Sequence, residues 1–168
     1  LGTDNQPLGI NPVEVVGDEM QLKMAIASAP IQSRLVWPGS ANATTGYRTS
    51  ASLSTMDTFE AQYGTFRFRG RFSATPGTWP EVWIIPAWGE GAEYEIDLEL
   101  NGGKPDKVSF NHFDRNWLTG EGITHPIPTT WGDMPGGATI DQSNEYSIHW
   151  TREFIRYYVN DVLIHEVS

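Results

Sequence analysis

The segment Glu93-Tyr94-Glu95-Ile96-Asp97-Leu98-Glu99-Leu100 places an acid at every second position. In an extended strand alternate residues share a face. Glu93, Glu95, Asp97 and Glu99 therefore point one way, and Tyr94, Ile96, Leu98 and Leu100 the other. Acidic proteins often carry strands with a solvated acidic face, which gives the same pattern. Two properties weigh against that plain reading. Asp and Glu are poor strand formers, and the aligned like charges have no interleaved Lys or Arg, so the row gives up stability. Glycoside hydrolysis is the chemistry that uses such a row: one carboxylate attacks the sugar while one carboxylic acid protonates the leaving oxygen. In retaining enzymes the two groups lie about 5–5.5 Å apart, whereas positions i and i+4 of a straight strand are roughly 13 Å apart. The strand is therefore expected to curve, bringing Glu95 and Glu99 together, with Asp97 between them holding a hydrogen bond and a proton. Crowded negative charge raises the pKa of at least one member, and the set titrates as a unit.

The neighbouring segments supply flat apolar surfaces. In Thr78-Trp79-Pro80-Glu81-Val82-Trp83-Ile84-Ile85-Pro86 parity puts Val82 and Ile84 on one face and Trp79, Glu81 and Trp83 on the other. Sugar rings stack on tryptophan; the competing reading is that both tryptophans are core. In Val108-Ser109-Phe110-Asn111-His112-Phe113, Val108 and Phe110 set a core face, and Ser109, Asn111 and Phe113 share the opposite one. His112 falls on the core parity, where a lone histidine is usually structural. His125, His149 and His165 are scattered singly, with no metal or Ser/His/Asp spacing.

These segments need a scaffold of strands. Gly64 to Phe72 alternates Phe66, Phe68 and Phe72 with Arg67, Arg69 and Arg71. Further strands are expected over Glu19 to Ala27, Tyr47 to Ser54, Thr78 to Pro86, Tyr94 to Leu100 and Lys107 to Phe113. A closing meander runs over Glu145 to Thr151, Phe154 to Val159 and Val162 to Val167, with Asn160-Asp161 as a tight hairpin turn. Asp114 to Ser143, rich in Gly, Pro and Thr, reads as a long irregular loop carrying Trp117 and Trp131. No amphipathic helix stands out. The expectation is one all-β domain over 1–168, a β-sandwich of two antiparallel sheets with a concave groove.

The chain has 168 residues and a net charge of −10, from 21 acidic against 11 basic residues. That balance argues against nucleic acid, which needs a basic footprint, and disfavours polyanionic substrates. No apolar run approaches the ~20 residues of a membrane span. With no cysteine, disulfides and thiolate metal sites are excluded. A cofactor is not expected. The start at Leu1 fits a removed signal peptide or an excised piece.

Together these residues resemble glycoside hydrolase family 16, whose fold is the concanavalin-A-like jelly roll. Its signature Glu-x-Asp-x-Glu stands here as Glu95-Ile96-Asp97-Leu98-Glu99. Tyr63-Gly64-Thr65-Phe66 is similar to its Tyr-Gly-aromatic strand, and Gly77 to Pro86 to the Gly-x-Trp-Pro-x-x-Trp segment of laminarinase-type members. Lys107 to Phe113 resembles the strand after the catalytic one in lichenases, and His149 to Val162 the family's closing hairpin. The resemblance implies Glu95 as nucleophile, Asp97 as assistant and Glu99 as acid/base. It also implies sugar contacts from Trp79, Trp83, Trp88, Asn111 and Phe113, and from Arg48. Two positions depart from the family: Gly46 stands where lichenases carry a Glu two residues before that Arg, and Glu93 where an aromatic precedes the nucleophile.

The expected activity is hydrolysis of β-1,3 or mixed β-1,3-1,4 glucan with retention. The alternatives are transglycosylation on the same residues and a non-catalytic carbohydrate-binding module. Family members continue past the closing hairpin with another strand, so the domain is expected to lack it or to receive it from another segment or chain. Otherwise a secreted monomer without metal is expected.

Overall fold

A computed structural model describes residues 13–32, 45–51, 53–55, 58–85, 95–113 and 130–168. The chain divides into two units, Leu1–Thr58 and Phe59–Ser168.

In the first unit β1 (Val13–Val16) and β2 (Glu19–Leu22) form an antiparallel hairpin around Gly17-Asp18. Gly17 takes φ 65°, the left-handed conformation that glycine adopts without penalty. Lys23 pairs with Glu14 across the hairpin. β3 (Ala25–Gln32) pairs antiparallel with β4 (Thr45–Thr49), and the register shifts between Ile26 and Ile31. The single run expected over Glu19 to Ala27 is thus two strands. They belong to different ladders, and Lys23-Met24 is where the chain changes partners. The strand expected over Tyr47 to Ser54 lies earlier, at β4.

The second unit carries β5 (Gly64–Gly70), β6 (Glu81–Ile84), β7 (Glu95–Leu100), β8 (Lys107–Phe113), β9 (Thr130–Asp133), a 3-10 turn at Pro135–Gly137, β10 (Asn144–Trp150), β11 (Ile155–Val159) and β12 (Val162–Val167). Two four-stranded antiparallel sheets result, in the orders β12-β11-β10-β5 and β6-β7-β8-β9. The alternation read from the sequence explains why they pack. β7 and β8 turn Ile96, Leu98, Leu100, Val108 and Phe110 inward; β10 and β11 answer with Tyr146, Ile148, Ile155, Tyr157 and Val159. The Phe110 and Tyr157 rings meet at 4.6 Å between centroids, and the Tyr157 hydroxyl donates to the Asn111 carbonyl at 3.2 Å. Burial raises the Tyr157 phenol above its ordinary pKa, and Asp97 adds to the shift. His112, opposite Ile96 on β8, lies on the core parity. His165 stacks on Phe110 at 5.3 Å, and burial and then His112 lower its pKa.

This all-β architecture of two antiparallel sheets is the one expected. Several boundaries shift by a residue or more, and three departures have a physical cause. β5 stops at Gly70, and Phe72 leaves the ladder to donate its N–H to the Ile140 carbonyl at 2.7 Å. β6 starts at Glu81 rather than Thr78, because Pro80 has no N–H to give and the Thr78 hydroxyl closes a turn on the Ser73 and Thr75 carbonyls. β9 lies inside the stretch expected to be irregular. Gly132 sits at its centre, where a side-chain carbon would fall 2.3 Å from the Ile164 methyl carbon Cγ2, so close sheet packing demands a residue that also breaks the strand pattern.

Candidate active site

The site grows from the outward face of the β6-β7-β8-β9 sheet. Residues directly opposite in an antiparallel ladder present their side chains to the same face. One row across the sheet is Trp83, Asp97 and Asn111; the next is Glu81, Glu99, Ser109 and Trp131. Glu95 stands at the other end of β7, opposite Phe113. The parity expected for both neighbouring strands is the one found.

Burial along β7 is uneven. Asp97 is 5% exposed, while Glu95 and Glu99 are half-buried. No described Lys or Arg forms an ion pair with any of the three, or with Glu81. Burial, and then the charges of Glu95, Glu99 and Glu81, push the Asp97 carboxyl up to about 8. It also shares a side-chain hydrogen bond with Glu95, and at neutral pH Asp97 is the partner that keeps the proton. Its Oδ1 is buried with no hydrogen-bond partner. Glu95 is itself raised, by burial first and then by Glu81, with the Asp97 hydrogen bond opposing the shift. Glu81 is raised by burial and then by Glu99. Glu99 accepts a hydrogen bond at Oε2 from the Ser109 hydroxyl at 3.0 Å. A protonated acid held between two carboxyls that reach the surface is an arrangement that suits two-carboxylate substitution chemistry.

Aromatic surface gathers at the Glu99 end. Trp79 is 46% exposed and meets Trp131 edge-on, with centroids 6.4 Å apart and planes at 82°. The two rings come from opposite edges of the sheet. Lys104 caps Trp131, its Nζ 4.0 Å from the ring centroid. Trp83 is half-buried and Asn111 buried, both beside Asp97.

The structure thus brings together Glu95, Asp97, Glu99, Trp79, Trp83 and Asn111. Phe113 is placed by its backbone opposite Glu95. Arg48 lies on β4 of the first unit, opposite Ile26, and is not among the residues that the second unit assembles. Trp88, Glu93, Tyr94 and Trp117 lie outside the described residues. Glu81 and Ser109 were legible as sharing this face, but their contact with Glu99 depends on cross-strand register, which parity does not fix. Among the described residues no group of three or more His, Cys, Asp or Glu is arranged to hold a metal.

Comparisons with known proteins bear on the family and the fold. The sequence profile described as glycosyl hydrolases family 16 matches residues 11–168. A beta-glucanase of Rhodothermus marinus is 32% identical over 130 residues, covering 68% of this chain and 41% of that protein. An endo-1,3-1,4-beta-glycanase of Rhizobium meliloti is 27% identical over 157 residues, covering 92% of this chain and 30% of that protein. The chain therefore spans less than half the length of these curated relatives. An endo-beta-1,3-glucanase from Pyrococcus furiosus superposes with a TM-score of 0.70 at 20% identity, over 94% of this chain and 57% of that structure, which shows the jelly-roll fold.

Proposed function

The chain belongs to glycosyl hydrolases family 16, and from that membership and the β7 row we propose a retaining endo-glycosidase of β-1,3 or mixed β-1,3-1,4 glucan. The observation that carries the reading is Asp97, a buried carboxyl pushed up to about 8 between two half-buried glutamates on one strand face. Glu95 attacks the anomeric carbon while Glu99 gives its proton to the glycosidic oxygen; the C–O bond to the leaving sugar breaks as the bond to Glu95 forms. Glu99, now a carboxylate, takes a proton from water, whose oxygen displaces Glu95 from the sugar. Asp97 donates its hydrogen bond to Glu95 and holds that carboxylate in line. Trp79 and Trp83 offer stacking surfaces, and Asn111 polar contacts.

The substrate choice rests on what the relatives' names say they act on: β-glucan, 1,3-1,4-β-glycan and β-1,3-glucan. A net charge of −10 favours a neutral polymer over an acidic one. A substrate of this size places the protein outside the cell.

The test is reducing-end release from laminarin, mixed-linkage glucan, xyloglucan and agarose, with Glu95→Gln as control. We expect cleavage of laminarin or mixed-linkage glucan by the native chain, first products of retained configuration by proton NMR, and none by the variant. Chain lengthening in place of release identifies a transglycosylase. No cleavage of any polymer, with glucan retarding the folded protein in an affinity gel, identifies a binding module and overturns the proposal.

A further inference from the structure

Glu99 faces another carboxyl across the ladder. Glu81 on β6 is directly opposite it, and Asp97 is its neighbour along the same face of β7. Like charges opposed across a ladder repel. Glutamate has three rotatable side-chain bonds, so a free Glu99 relieves the repulsion by swinging its carboxyl into solvent. It does not swing away here. From β8 the hydroxyl of Ser109, which has no exposed surface, donates to Glu99 Oε2 at 3.0 Å; the Glu99 backbone carbonyl is a poorer acceptor at 3.4 Å. A buried hydroxyl must spend its proton on an acceptor within reach, and the carboxyl is the better of the two. Other charged groups near Glu99 give it no donor among the described residues. Lys107 of β8 is paired with Asp133 of β9, and Lys104 lies over Trp131.

We propose that Ser109 is a positioning residue for Glu99: it pins Oε2 against the repulsion of Glu81, and so leaves Oε1 to carry the transferred proton. The inference rests on the glycosidase reading above and deepens it. In the first step the proton on Oε1 moves to the glycosidic oxygen as the bond to Glu95 forms, leaving Glu99 ionised. The bond from Ser109 then becomes charge-assisted, hence shorter and stronger. Its contribution is greatest as the proton departs, which is what lowers a barrier rather than merely binding substrate. In the second step the same Oε1 receives the proton of the attacking water, while Ser109 still holds Oε2.

The test uses aryl β-glucosides of matched sugar length with phenolate or 2,4-dinitrophenolate leaving groups, because dinitrophenolate departs without acid help. Ser109→Ala should lower kcat/KM on the phenyl substrate by about tenfold or more and leave kcat/KM for the dinitrophenyl substrate, which reports the first step alone, at the native value. Ser109→Thr, which keeps the hydroxyl, should restore the phenyl rate. In a Glu81→Gln background, where the repulsion is weaker, the loss from Ser109→Ala should shrink; this cycle separates coupling from a general packing defect. Equal loss on both leaving groups, or no loss on either, overturns the proposal. A native chain that turns over no glucoside overturns the glycosidase reading instead. The tether is then decided by crystal structures of the native and Ser109→Ala chains: a Glu99 carboxyl turned away from β8 in the variant supports it, and an unmoved one overturns it.

Discussion

The outward faces of the two sheets in the second unit treat charge in opposite ways. On β5, β10, β11 and β12, each acid has a base beside it. Arg67 bonds Glu145 at 2.7 Å and approaches Asp161 at 3.4 Å; Arg69 lies 3.6 Å from Glu145. Arg156 pairs with Glu166 and covers the Phe154 ring at 3.8 Å. On β6 and β7, Glu81, Glu95, Asp97 and Glu99 face outward together with no described base among them. Both sheets close on one apolar core, so the requirements of folding on the inner side are alike. Opposite-charge pairs across strands help a sheet and like pairs hurt it. The first face follows that rule, and the second breaks it around Asp97, whose carboxyl is pushed up to about 8. Charge arrangement, more than strand geometry, separates the proposed working surface from the supporting one.

The largest expected effect breaks this contrast at its centre. Asp97→Asn removes the proton that the row retains. Unfolded, an aspartate gives up its proton near pH 4, whereas folded Asp97 keeps it up to about 8. Its contribution to stability is therefore fully present below about pH 4 and is lost as pH rises towards 8. Across that window the native chain should lose on the order of 5 kcal/mol through this group. The variant's amide still donates to Glu95 but has no proton to lose, so the loss disappears. Urea unfolding of both chains at pH 5 and pH 8 checks it: the variant should gain on the native chain as pH rises, while hydrolysis falls. A constant difference between the two chains across pH would show that Asp97 holds no proton.

A smaller effect tests the aromatic end of the same face. Trp131 stands edge-on to Trp79 and is capped by Lys104, so it fixes the ring that is proposed to stack on sugar. Trp131→Ala leaves Trp79 free to rotate. Edge-to-face aromatic pairs contribute about 1 kcal/mol, so KM for a long oligosaccharide should rise roughly fivefold with kcat unchanged. A fall in kcat at constant KM would place Trp131 with the chemistry rather than with binding.

These two faces are legible in the sequence where side-chain period and local turn chemistry decide the structure. β8 and β12 were legible to the residue. The Asn160-Asp161 turn was too, and it adopts φ 50° and 62°, the left-handed pair that such hairpins require. The inward and outward sets of β7 followed from alternation alone. What escaped depends on partners distant in sequence. β9 is four residues broken by Gly132, and that glycine is explained only by Ile164 and Phe110 closing on it. The meeting of Trp79 with Trp131 spans three strand separations and 52 positions of chain. Ser109 was visible as a groove-face residue, but the acceptor of its proton is chosen by the β7-β8 register. The pairing of Glu81 with Glu99 likewise waits on the β6-β7 register.

The smallest expected effect lies on the supporting face. Arg67 is half in solvent, its side chain 50% exposed, although it contacts both Glu145 and Asp161. Exposed ion pairs contribute about 0.2–1 kcal/mol, because water already solvates each partner and holding two long side chains together costs entropy. Arg67→Ala should therefore lower stability by no more than about 1 kcal/mol at low salt, and by less at 1 M salt, where screening shortens the reach of charge to about 3 Å. Polysaccharide hydrolysis should not change. Urea midpoints at two salt concentrations, together with the reducing-end assay, check both statements. A loss of several kcal/mol would mean that the paired face contributes to folding far beyond what its exposure allows. A loss of hydrolysis would mean that the two outward faces are coupled through the core, and charge pairing would no longer distinguish a supporting surface from a working one.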